Sequence, residues 1–85
     1  MFYVYIVRCS DDTFYCGQTT DLKRRIEEHN LGKSKSARYT KSRRPVKLEY
    51  FERFKTVGKA LKREAQIKNL KRKSKKELIK QKQMK

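Results

Sequence analysis

Residues 2–9 read FYVYIVRC, apolar or aromatic at both odd and even positions until Arg8. Successive side chains on a strand point to opposite faces. A strand apolar on both parities must therefore be covered on both faces, which predicts a central position in its sheet. Ser10-Asp11-Asp12-Thr13 is turn chemistry, because short polar side chains bond the local backbone. A second strand over about residues 14–19 then returns antiparallel.

Thr20 offers a helix N-cap, with Asp21 in the first turn where the helix dipole favours an anion. That helix is expected to run to about Leu31, with Gly32 as its left-handed stop and Leu22, Ile26 and the stem of Arg25 facing inward. Residues 33–44 (KSKSARYTKSRR) form a basic connector, with a short helical turn expected around Tyr39 and Pro45 closing it. Val46 to Phe54 alternates as a third strand, placing Val46, Leu48 and Tyr50 on one face. A helix follows from about Thr56 to Leu70. Ser74-Lys75-Lys76-Glu77 matches a capping box that would begin a last helix over 75–83, anchored only by Leu78 and Ile79. The order ββα-βαα predicts an α+β fold, a small three-stranded antiparallel sheet flanked by helices. The expected organisation is one domain over 1–72 and a lysine-rich C-terminal helix or tail over 73–85.

Charge narrows the partner. The 85 residues hold 25 Lys and Arg against nine Asp and Glu, a net charge of +16. Residues 33–47 carry seven basic and no acidic side chains, and residues 55–85 carry thirteen basic against Glu64 and Glu77. Lysine-rich faces also serve solubility, but so large an excess repels itself unless a polyanion offsets it, and nucleic acid is the commonest polyanion. No stretch has the ~20 apolar residues of a membrane span, and no secretory leader pattern is present. The expectation is a cytoplasmic monomer without a small-molecule cofactor. Cys9 and Cys16 lack a metal-binding spacing and are expected as small apolar strand residues.

Three features bear on chemistry. A five-residue loop over 9–13 pairs Val7 with Tyr15 and Tyr5 with Gly17, placing Tyr5 and Tyr15 on one sheet face. A two-residue Asp11-Asp12 loop would separate them. In the odd-loop register Gly17 leaves room above the sheet for a phosphate or base. Arg25 and His29, four apart, project from one helix face near the sheet rim. Arg binds phosphate through paired hydrogen bonds, and His can move a proton near neutrality. The same residues also fit a surface cation and a favourable charge at a helix C-terminus. Val57, Ala60, Leu61, Ala65 and Ile67 form an apolar stripe at 100° per residue, with Glu64 near its centre. A carboxylate there needs a partner, either Lys68 at i+4 or a metal ion. Magnesium accepts one protein carboxylate together with waters and phosphate oxygens.

Taken together, Tyr3-Val4-Tyr5, Tyr15-Cys16-Gly17, Arg25, His29 and Glu64 resemble the GIY-YIG nuclease superfamily. Tyr5-Ile6-Val7-Arg8-Cys9, Thr19-Thr20-Asp21-Leu22, Arg24-Arg25, Glu28-His29-Asn30, Tyr39-Thr40, Arg43-Arg44-Pro45-Val46 and Lys62-Arg63-Glu64 with Ile67-Lys68 look like its short stand-alone bacterial branch. The likeness covers about residues 1–72. The name-giving motifs depart, reading Tyr-Val-Tyr and Tyr-Cys-Gly, but both phenols and the glycine are kept. The resemblance implies a metal-dependent endonuclease acting on DNA, single-stranded or branched, in repair or processing. It implies Tyr5 as general base with Tyr15 beside it, Arg25 on the scissile phosphate, His29 shuttling a proton and Glu64 holding one Mg²⁺ or Mn²⁺. Gly17, Tyr39, Lys41, Arg43, Arg44 and Lys68 are the expected nucleic-acid contacts. A binding module that kept the fold without turnover, or an RNA-binding protein, are the alternatives.

Overall fold

The computed structural model describes residues 1–32 and 40–83. Its elements are β1 (Phe2–Arg8), β2 (Phe14–Thr19), α1 (Leu22–Leu31), a 3₁₀ turn (Lys41–Arg43), β3 (Lys47–Phe54), α2 (Val57–Lys68) and α3 (Arg72–Gln83). The sheet order is β2-β1-β3, antiparallel throughout, so the strand that is apolar on both faces is the central one. Val4, Tyr5, Ile6 and Val7 are each at most 1% exposed. The expected α+β architecture is the one observed.

The two faces carry separate halves of the core. On one side Tyr5, Val7, Cys9 and Val46 pack with Tyr15, Leu22, Ile26, Leu48 and Phe51, beneath α1. On the other, Val4, Ile6, Cys16 and Tyr50 meet Ala60 and Ile67 of α2 and Ile79 of α3. A domain of this size hides only about 60–65% of its unfolded surface, so a sheet covered twice is how it gains enough core. Ile79, only 4% exposed, ties α3 into that core. Cys9 and Cys16 are buried free thiols, as expected of apolar strand-type residues.

Several boundaries differ from expectation. Asp21, not Thr20, caps α1: its backbone is extended and its side chain accepts from the Arg24 N–H. Gly32 closes the helix at φ 67° as foreseen. The third strand begins at Lys47 and α2 ends at Lys68, with Thr56 as its cap. The last helix begins at Arg72, so Ser74 lies inside it and the capping box is unused. Arg72 instead docks on the first hairpin, its guanidinium 2.8 Å from Asp12 and 4.9 Å above the Phe14 ring.

Two face assignments are corrected. In β3, Leu48 opposes Val7 while Tyr50 opposes Ile6, leaving Glu49 as an extra residue. This bulge reverses the alternation. Val46 and Leu48 therefore lie under α1, and Tyr50 lies under α2. In α2 the apolar stripe is narrower than its spacing suggests. Ala60 and Ile67 are buried, but Val57 is 46% and Leu61 50% exposed, and Ala65 is exposed too. Arg63 accounts for part of the difference. It forks onto Glu52 of β3 (3.0 and 3.1 Å from Nε), which also accepts a short hydrogen bond from the Tyr50 hydroxyl. This network fixes which side of α2 faces the sheet.

Candidate active site

The β1–β2 loop sets the geometry. Cys9 N–H donates to the Thr13 carbonyl (2.8 Å), Asp12 takes φ 66°, and Asp11 accepts from both the backbone and hydroxyl of Thr13. Aspartate tolerates the left-handed region better than most residues. The resulting odd loop pairs Val7 with Tyr15 and Tyr5 with Gly17, so both phenols lie on the α1 side.

Gly17 plays a different part from the one expected. The space above it is filled by the Tyr5 ring itself: a Cβ at position 17 would lie 2.5 Å from the Tyr5 hydroxyl and 2.7 Å from Cζ. Glycine is needed here for closeness of approach, not for backbone freedom. No phosphate or base can occupy that space.

The phenol meets α1 at the buried His29 side chain. Tyr5 Oη is 2.8 Å from His29 Nε2, and His29 Nδ1 is 2.8 Å from Thr40 Oγ1. The imidazole also makes edge contacts with the rings of Tyr5 and Tyr15, at centroid distances of 5.9 and 5.3 Å. His29 and Thr40 are both fully buried. His29 is therefore not a solvated cation at a helix end. Burial holds its pKa below the usual histidine value, and the nearby Arg25 charge lowers it further against a weaker pull from Glu28. Burial also pushes the Tyr5 phenol far above its ordinary range, reinforced by Tyr15 and opposed by Arg25. At neutral pH the pair is a neutral imidazole beside a protonated phenol.

Arg25 stands one turn before His29. Its side chain is 24% exposed, and Nη1 lies 3.6 Å from Glu28 Oε1. With Thr19, Thr20, Asp21, Arg24 and Glu28 it lines an open cleft of about 340 Å³ at the β2–α1 junction. The guanidinium thus has access both to solvent and to the electrostatic surroundings of Tyr5.

Glu64 comes from the layer on the opposite face. It lies in the same row of α2 as Ala60 and Ile67, with its side chain 16% exposed and Oε2 3.2 Å from Lys68 Nζ. The ion pair foreseen from the sequence is present. Because β2 is the edge strand, the acid still acts beside it. Glu64 raises the pKa of Tyr5, and it is the next cause after burial in pushing Cys16 up to about 11. Lys68 likewise interacts with Tyr15. Tyr5, Tyr15, Arg25 and His29 converge under α1, and Glu64 with Lys68 approaches from the other layer.

The connector is partly committed to structure. Arg43 Nε donates to Asp11 (3.0 Å), and the Arg43 carbonyl accepts from Ser10 N–H. Arg44 donates to the carbonyls of Lys41 (2.8 Å) and Asn30 (3.2 Å), binding the end of α1. Lys41 is exposed, whereas Tyr39 and its expected helical turn lie outside the described residues. Sequence reasoning missed two residues. Asn30 brackets the Val46 backbone with its side-chain amide, and Thr40 reaches His29. Their only signal was membership in the Glu28-His29-Asn30 and Tyr39-Thr40 segments.

Known proteins share this arrangement of sequence and fold. A family profile described as the GIY-YIG catalytic domain matches residues 1–77. A UPF0213 protein of Syntrophus aciditrophicus (strain SB) is 54% identical over 79 residues, covering 93% of this chain and 90% of its own. A UPF0213 protein of Staphylococcus aureus (strain Mu3) is 49% identical, covering 93% and 94%. The solution NMR structure of protein EF2693 from E. faecalis is similar at 42% identity and TM-score 0.64, over 98% of this chain and 86% of that one. That of the UPF0213 protein BH0048 from Bacillus halodurans gives 40% identity and TM-score 0.62, over 96% and 86%. The chain belongs to the GIY-YIG superfamily of nucleases, among the short proteins designated UPF0213.

Proposed function

We propose that the protein is a metal-dependent endonuclease that hydrolyses phosphodiester bonds in DNA, single-stranded or branched, in repair or processing. The observation that carries this reading is the 2.8 Å contact between Tyr5 and a neutral, buried His29, next to Arg25 and within the field of Glu64. A phenol held protonated cannot act as a base unaided, so its own proton must leave as the water's proton arrives. His29 Nε2 is the acceptor in position. Water oxygen bonds phosphorus as its proton passes to Tyr5 and the Tyr5 proton passes to His29. The bond to the bridging oxygen breaks, and the leaving oxygen is protonated from the imidazolium by way of Tyr5 or solvent. A histidine with a depressed pKa gives that proton up readily. Arg25 binds the phosphate and stabilises the charge that grows on it, and Tyr15 keeps the phenol and imidazole in line.

Nucleases of this family generally use divalent metals. Among the described residues no cluster of three or more His, Cys, Asp or Glu could cage an ion, and the donor set here is a single carboxylate. That set fits Mg²⁺ or Mn²⁺, which takes one or two carboxylates and fills its shell with waters and phosphate oxygens. Glu64 would hold it, and the half-exposed Lys68, 53% exposed, is free to swing from the carboxylate to the nucleic-acid backbone. A bound ion supplies positive charge to the phosphate oxygens. Lys41 and Lys68, with Tyr39, grip the strand, while Gly17 admits the Tyr5 ring. Arg43 and Arg44 shape the path through the bonds they make to Asp11 and to the end of α1.

The test is cleavage of labelled single-stranded, duplex and branched DNA with Mg²⁺, Mn²⁺ or EDTA. We expect metal-dependent cleavage, lost by about 10²-fold or more in Tyr5→Phe and in Glu64→Gln. Salt-sensitive binding with no cleavage under any condition would overturn the enzyme and leave a binding module, a role compatible with the Glu64–Lys68 pair.

A further inference from the structure

We infer that Thr40 is a positioning residue for the proton path, holding His29 in the tautomer that carries its proton on Nδ1 and leaves Nε2 open to Tyr5. The inference deepens the reading above and rests on Tyr5 and His29 forming that path.

The hydrogen-bond partners favour one tautomer. A neutral imidazole has one N–H and one acceptor nitrogen, and the partner of each fixes which is which. In the first arrangement Tyr5 O–H donates to Nε2, and Nδ1–H donates to Thr40 Oγ1. In the second, Nε2–H donates to Tyr5, and the Thr40 hydroxyl donates to Nδ1. The second leaves the Tyr5 proton without an acceptor, because among the described residues Nε2 is the only hydrogen-bond partner of that hydroxyl. Tyr5 is 1% exposed, and a buried donor left unsatisfied is costly. The first asks the Thr40 hydroxyl to send its own proton to an acceptor other than the ring, and Thr40, unlike Tyr5, has interactions beyond that contact. The first arrangement is also the only one in which His29 can receive the phenol proton. The imidazolium so formed keeps Nδ1–H on the Thr40 oxygen, so that bond strengthens as charge arrives.

The local structure of Thr40 points the same way. Thr40 occupies the N-cap of the 3₁₀ turn at Lys41–Arg43, where a threonine ordinarily bonds the turn's own backbone, yet its side chain makes no capping bond. Its carbonyl accepts from Arg43 N–H, so the turn closes without the Thr40 hydroxyl. The hydroxyl is fully buried, eleven residues from His29, and lies 2.8 Å from its ring.

The tautomer is read directly from the nitrogen chemical shifts of the His29 ring in ¹⁵N-labelled wild-type protein, which requires neither a variant nor activity. We expect Nδ1 to be the protonated nitrogen at neutral pH. Thr40→Val, which keeps the shape and removes the oxygen, should shift those signals toward the other tautomer or a mixture. In the cleavage assay it should lower kcat about tenfold, the scale of one hydrogen bond, with KM little changed. Thr40→Ser should restore both. Protonated Nε2 in the wild type would overturn the inference, as would Thr40→Val with unchanged ring signals and unchanged kcat. Should the wild type cut no substrate, the enzyme reading fails, and the ring signals still decide the tautomer on their own.

Discussion

Tyr5 Oη and His29 Nε2 lie 2.8 Å apart, joining the central strand to the far end of α1 through a buried bond. Neither group is charged at neutral pH, since burial opposes ionisation of both. The role proposed for the pair is consequently to pass a proton, not to store a charge. Its neutrality also makes the fold sensitive to acid.

His29 is the chain's one histidine, so titration between the carboxylate range and neutrality isolates it. Its folded pKa lies below the unfolded value of about 6.5, so under mild acid the unfolded chain binds more protons and gains stability relative to the fold. Stability should be flat between about pH 7 and 8, below the range in which the thiols titrate. It should fall below about 6.5, by at most about 1.4 kcal/mol per pH unit, until the lower folded pKa is reached. Urea midpoints between pH 5 and 7.5 measure this. A midpoint that holds steady or rises on acidification would contradict a buried neutral imidazole.

Gly17→Ala should force the Tyr5 ring off its position. We expect a loss of about 1–3 kcal/mol from overpacking and a changed His29 ring signal. A double-mutant cycle with Tyr5→Ala gives the coupling, because removing the ring should relieve most of the cost of the added methyl. Additive losses would mean that the two sites do not touch.

Glu64→Gln separates structure from chemistry. Among the described residues the acid's ion-pair partner is Lys68 at i+4, a helix-surface pair of the kind that contributes about 0.3–0.5 kcal/mol. Thermal unfolding should barely move, while metal-dependent cleavage disappears. Lys68→Ala should leave cleavage in place and weaken only binding. A large drop in melting temperature for Glu64→Gln would make Glu64 a structural residue.

Glu52 holds α2 to β3 by accepting from both Arg63 and Tyr50. Burial, with the neighbouring Glu52 carboxylate, pushes the Tyr50 phenol up to about 12. Arg63→Ala leaves that carboxylate half-buried without its cation, and should cost about 1–3 kcal/mol in chemical denaturation. Arg63→Lys should recover little, since an ammonium cannot reproduce the fork. Full recovery by lysine would show that charge alone, and not the two-point contact, orients the helix.

What could be read from the sequence was local and periodic. The apolar run at residues 2–7 requires cover on both faces, so the central strand follows directly, and the shared side of Tyr5 and Tyr15 follows by parity once the turn is the five-residue loop at 9–13 and not a two-residue one. Arg25 and His29 likewise follow from helical spacing. Parity failed where one residue was added. The bulge at Glu49 turned Tyr50 away from Leu48, and alternation within β3 carries no trace of it. Helical spacing failed in α2 for another reason: it gives relative angles around the axis but not which angle meets the sheet, which Arg63 and Glu52 decide together.

The sequence by itself determined the layers and the central strand and marked the candidate side chains, because these depend on neighbours a few residues away. Only the tertiary structure decided that the Tyr5 ring, not a ligand, fills the space over Gly17, that His29 is buried and neutral, and that Thr40 holds its far nitrogen. Those outcomes depend on desolvation and on contacts between residues far apart in the chain. Burial is a property of the assembled core, and no short window of residues contains it.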